Sequence, residues 1–146
     1  MRHFKGQGSM ELLVTIGIVL AFTIPVLFLL FSITSIGYES TAKAQADASV
    51  RSLADTMNFV YAQGPGAEKV VLLNLPASAD SLLAKRSAGS SGGEAVVSIH
   101  TSGGAFEAAS PTFAVVSTSN KPISKTGLFE VIVKNVNGEV ELIEAP

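Results

Sequence analysis

LLVTIGIVLAFTIPVLFLLFSITSIGY, residues 12–38, is the stretch on which the fold turns. Its 27 residues contain no Asp, Glu, Lys or Arg. As a helix rising about 1.5 Å per residue it reaches roughly 40 Å, more than the ~30 Å hydrocarbon core of a bilayer. A chain of 146 residues carrying such a run is not a simple soluble globule. Its mean hydropathy is +0.43, and the apolar excess is concentrated in this one segment. The 83 residues from Gly64 to Pro146 leave room for a small domain, not for a large enzyme.

Arg2 and Lys5 precede the run. By the positive-inside tendency that end stays cytoplasmic and the C-terminal part is exported. An ordinary secretory signal has an apolar core of roughly 7–15 residues followed by a small-x-small cut site. Ala42-Lys43-Ala44 offers such a triplet, but the run is too long for that reading. Pro25 lies inside it and marks a kink, or a place where the helix stretches on leaving lipid, because proline removes one backbone hydrogen bond. Thr23 is placed to help satisfy the freed carbonyl.

Glu11 sits at the edge of the run, four residues beyond Gln7. Two readings compete. In one, an acid in the first turn of a helix complements the positive end of the macrodipole, with Ser9 as cap. In the other, a carboxylate in apolar surroundings is placed to meet a charged partner.

The string Lys5-Gly6-Gln7-Gly8-Ser9-Met10-Glu11, followed directly by the uncharged run, resembles the class III signal peptide of archaeal type IV pilin-like proteins. The resemblance implies that a prepilin-type peptidase cuts between Gly6 and Gln7, removing a cytoplasmic leader of residues 1–6. The apolar segment would stay in the mature chain, with Gln7 first and Glu11 fifth, the position of the characteristic pilin glutamate. Thr15 stands where the family often has Leu, a mild departure. The Glu11 carboxylate of one subunit would pair with the Gln7 ammonium of its neighbour. The implied partners are further copies of the chain, the membrane, the peptidase and the pilus assembly machinery. The implied location is the cell membrane for the precursor and the cell surface for an assembled filament, with adhesion as an implied role. The alternative is a single-pass anchor carrying an extracellular, β-rich ligand-binding domain.

From Glu39 to Gln63 the pattern continues as helix, so that residues 7–63 form one long helix, membrane-spanning at 12–38 and an amphipathic stalk beyond. Val50, Leu53, Met57 and Val60 recur on one face. Glu39, Lys43, Asp47, Arg51 and Asp55 recur every four residues and read as a solvated face with i,i+4 pairs. Gly64-Pro65-Gly66 stops the helix. Strands are expected at 69–75, 94–101, 112–117, 128–134 and 139–144, with a short turn or helix at 77–86 and a flexible loop at 87–93. Asn137-Gly138 signals a hairpin. The expected fold is thus α+β: a long N-terminal helix followed by a small antiparallel β-sheet or β-sandwich at 64–146. The long helix, the Gly-rich break and the terminal Asn-Gly hairpin also resemble the pilin-like family in plan.

The chain has no cysteine, which excludes disulfide scaffolds, thiolate metal sites and thiol nucleophiles. Its net charge is −2 without a dense basic patch, so nucleic acid is not an expected partner. His3 and His100 are far apart and suggest no metal centre. The Gly/Ser stretches at 89–93 and 102–104 lack the lysine and the strand–turn–helix setting of a phosphate loop. No nucleophile-elbow motif occurs, so neither a catalytic residue nor a cofactor is expected.

Overall fold

The computed structural model describes residues 7–87 and 92–145, residues 7–9 by backbone alone. In chain order the elements are α1 (Gln7–Gln63), β1 (Glu68–Leu75), β2 (Ala79–Arg86), β3 (Gly93–Thr101), β4 (Gly104–Thr112), β5 (Gly127–Val136) and β6 (Glu139–Glu144). The fold is α+β. The strands form two antiparallel three-stranded sheets, ordered β1-β5-β6 and β2-β3-β4. The chain divides into two compact units after Tyr38.

In the first unit α1 is helical throughout, Pro25 and Gly37 included, and no described side chain is buried. Its hydroxyls turn back on the helix. Thr15, Thr23 and Thr34 donate to the carbonyls of Glu11, Val19 and Leu30, each four residues earlier, at 2.7–2.8 Å. The Thr23 hydroxyl is therefore spent on Val19. It does not reach Ala21, whose i+4 donor Pro25 lacks.

In the second unit the remainder of α1 packs on both sheets. Ala46, Val50, Leu53, Ala54, Met57 and Val60 are at most 2% exposed. The four residues expected to share a face are all among them. They join one core with alternate residues of the strands: Leu73 and Leu75 of β1, Val131 and Val133 of β5, Leu82 of β2, Val97 and Ile99 of β3. The sheets thus share their core with this half of α1, and the compact unit begins at Glu39 rather than at Gly64. Gly64 ends the helix at a φ of +91°, and its N–H donates to Tyr61 O at 3.1 Å. The buried Asn135 amide reaches the last helical carbonyls, Val60 O at 3.5 Å and Tyr61 O at 3.4 Å.

Four local readings are corrected. Residues 79–86 are strand β2, not a turn or helix, and Leu82 and Ala84 alternate inward. Residues 104–112 form a strand that the sequence did not suggest: GAFEAASPT has three Ala, a Gly and a Pro, with only Phe106 and Thr112 as β-formers. It forms because Ser102-Gly103 closes a tight hairpin that pairs β4 with the whole of β3. Residues 112–117, expected as a strand, leave the sheet after Thr112. This connection crosses from one sheet to the other and bonds to an outer edge of each. Val140 N–H donates to Val115 O at 2.7 Å, Ser117 N–H donates to Val140 O at 3.0 Å, and Leu82 and Ile123 exchange two bonds of 2.8 Å. Gly93, expected in a flexible loop, is buried at the start of β3. The Asn137-Gly138 hairpin is present, with φ of 53° and 90°.

Candidate functional site

The apolar half of α1 is the feature most in need of a partner. Between Met10 and Tyr38 the large apolar side chains are 47% exposed at Leu27 and up to 75% at Tyr38. They point in every direction around the helix, so no single groove of this unit could bury them. The segment is long and apolar enough to cross a membrane. The hydroxyl-to-carbonyl bonds suit that environment, because each removes a donor that lipid could not satisfy. Thr15 is tolerated in the run for this reason: its hydroxyl is bonded to Glu11 O.

Lys5 and Gly6, expected to flank the processing site, lie outside the described residues. Gln7 opens α1. Ser9 therefore lies inside the described helix rather than at its N-cap. Glu11 lies more than one turn into the described helix, whose first described turn holds no acid. The macrodipole favours charge chiefly within the first turn. That leaves the Glu11 carboxylate without the local explanation its sequence position offered. It is exposed beside Met10, Val14 and Thr15, and among the described residues it makes no ion pair.

Among the described residues no group of three His, Asp or Glu side chains is disposed to hold a metal ion. The His100 ring pairs with the Asp80 carboxylate, and both side chains are exposed. No protein-family model, curated protein or solved structure matches the chain.

Two residues that the charge pattern assigned to solvent do something else. Glu39 accepts the Ser102 N–H at 2.9 Å, at the tip of the β3–β4 hairpin. The Ser102 hydroxyl and then its amide hold the Glu39 carboxyl below its ordinary range. Lys43 lies over the Phe106 ring of β4, 5.3 Å from its centre. Steps of four residues advance about 40° around a helix, so a row of them spirals rather than following one face. Glu39 is seven residues before Ala46 and shares the sheet-facing stripe, whereas Asp55 has turned to solvent. The seven-residue spacing was the available signal.

Proposed function

We propose that this chain is a structural subunit of a type IV pilus-like filament, assembled by packing of its N-terminal helices after cleavage before Gln7. The observation that carries the reading is a charge: Glu11 lies at the start of an exposed apolar helix, beyond the first turn and with no ion-pair partner among the described residues. Cleavage would supply a partner, the Gln7 ammonium of a neighbouring copy. In a lipid-excluded bundle, removing one member of such a pair strands a buried charge at a cost of about 3–5 kcal/mol. The pair therefore sets the axial register of the subunits more than it adds stability. The all-round apolar surface fits a segment that is solvated by lipid before assembly and by other helices afterwards.

Two measurements test this reading. Mass spectrometry of the mature chain should find Gln7 first, with Arg2 and Lys5 gone and the net charge moved from −2 to −4, since −2 − 2 = −4. A start after Ala44 would mark an ordinary secreted protein and end the proposal. The Glu11→Gln variant, which keeps size and hydrogen bonding, should insert and be cleaved but give few or no filaments. Normal filaments from that variant would refute the charge-pair mechanism. A plain single-pass anchor predicts no filaments from wild-type membranes and no effect of the substitution.

A further inference from the structure

One turn of the second compact unit carries chemistry of its own. Asn137 is the only asparagine followed by glycine; Asn58, Asn74, Asn120 and Asn135 precede Phe, Leu, Lys and Val. A following glycine leaves its backbone nitrogen least hindered for attack on the asparagine side chain. Asn137 and Gly138 both lie in the left-handed region, with φ of 53° and 90°, in the two-residue turn between β5 and β6. Among the described residues Asn137 is the only residue other than glycine with a positive φ. It is exposed, and nothing lies within 4 Å of the place a Cβ on Gly138 would take.

The Gly138 nitrogen is nevertheless held. Its N–H donates to Asn135 Oδ1 at 2.9 Å. Asn135 is buried, and its Nδ2 faces Val60 O and Tyr61 O at the end of α1. These contacts assign the direction of the amide. Turned over, its oxygen would meet two carbonyls and its NH2 group would meet the Gly138 N–H. The end of the helix thus keeps Asn135 Oδ1 aimed at the turn. A donated hydrogen bond favours the protonated amide, because loss of the proton would set the nitrogen lone pair against Oδ1. To reach Asn137 Cγ the nitrogen must also break that bond.

We propose that Asn137 is a site of spontaneous deamidation and that Asn135 sets its rate. The Gly138 nitrogen gives its proton to a solvent base and attacks Asn137 Cγ. A C–N bond forms and closes a succinimide ring, the Cγ–Nδ2 bond breaks, and the side-chain nitrogen leaves as ammonia. Water then opens the ring at either carbonyl, giving aspartate or isoaspartate; nothing is oxidised or reduced. Either product puts a new carboxylate two residues from Glu139, whose own carboxylate receives Arg86 of β2 at 2.8 Å. The new charge therefore bears on an ion pair that joins the two sheets. Isoaspartate also adds a carbon to the backbone of a two-residue turn. Asn135 is a positioning residue, acting through the nitrogen it holds. This inference is independent of the filament reading.

The test ages the full-length chain in detergent and mildly alkaline buffer, at a temperature where circular dichroism shows it folded. Peptide mapping by mass spectrometry follows conversion at Asn137. Wild type should convert several-fold more slowly folded than in denaturant. Asn135→Leu, close in size but without an acceptor, should quicken conversion in the folded chain by roughly three- to tenfold, the rate equivalent of one ordinary hydrogen bond. Hydrogen exchange at the Gly138 amide should quicken in the same variant. Leu82→Ala, in the core of the other sheet, lowers stability without touching the turn and should leave the Asn137 rate unchanged. If Asn135→Leu does not fold, Asn135→Ser, whose oxygen stands one bond short of Oδ1, carries the same expectation. Equal conversion of folded and denatured wild type would overturn the proposal. So would an unchanged rate in the folded Asn135 variant, or equal acceleration by Leu82→Ala.

Discussion

The two halves of α1 share one backbone geometry and differ in everything else. Residues 10–38 are exposed all round, whereas from Ala46 to Val60 the helix buries a continuous stripe against two sheets. The difference lies in what each half can find in its own chain. The packed half alternates apolar and charged residues and meets the inward rows of six strands. The apolar half has no polar face to offer water and no sheet to cover it. A helix is thus satisfied internally for its backbone while its side chains decide which solvent or neighbour it needs.

Removing the packed half while keeping the sheets tests that contrast most severely. A fragment of residues 64–146 loses Val50, Leu53, Met57 and Val60 from the core, each worth about 1.5–3 kcal/mol on burial if apolar and large. Their sum matches the whole stability of a typical domain, about 5–15 kcal/mol. This fragment should lack the sheet signal in circular dichroism, and a fragment of residues 39–146 should keep it. A folded 64–146 fragment would mean that the sheets need no helix.

The next test is a matched pair of truncations. Leu53→Ala removes a fully buried side chain and should cost about 2–5 kcal/mol, read by chemical unfolding of the sheets. Leu20→Ala, in the exposed half, should leave that transition where it is. Equal effects would erase the distinction between the halves.

Gly93→Ala probes the sheet side of the core. An added Cβ would collide with Val116 Cγ2 and come within 2.8 Å of the Lys85 carbonyl. Overpacking of this kind costs about 1–3 kcal/mol, measurable as a lowered unfolding midpoint. No change would show that the connection carrying Val116 yields freely.

The smallest expected effect lies where the packed half begins. The Glu39 carboxyl is held below its ordinary range by Ser102, so the folded state favours its charged form. Its contribution is complete above the ordinary carboxylate range and is lost as pH falls through the lowered folded value. Glu39→Gln should therefore melt slightly below wild type at neutral pH, and the difference should close in acid. A difference that persists unchanged in acid would show that the carboxylate charge plays no part in holding the hairpin.

How much of this was legible beforehand depended on range. The apolar run, the helical stripe at Val50, Leu53, Met57 and Val60, the stop at Gly64 and the Asn137-Gly138 turn are set by residues near one another in sequence, so spacing alone exposes them. Glu11, too, stood out by position. Strand β4 did not, because Phe106 and Thr112 are the only strand formers in GAFEAASPT, and the segment pairs only when the β3 hairpin offers it a full row of partners. The same holds for 112–117, whose valine-rich composition suggests a strand while its place between two sheets makes it a crossing.

Sequence by itself determined that one helix would be long, that its first half could not rest in water, and that sheets would follow. These are consequences of side-chain polarity and backbone propensity, which act over a few residues. Tertiary structure alone decided that residues 104–112 pair as a strand and that 112–117 cross between the sheets. It also decided that Glu39 and Lys43 hold a hairpin. Such features depend on which distant groups arrive within hydrogen-bonding or packing distance, and only the folded chain brings them there.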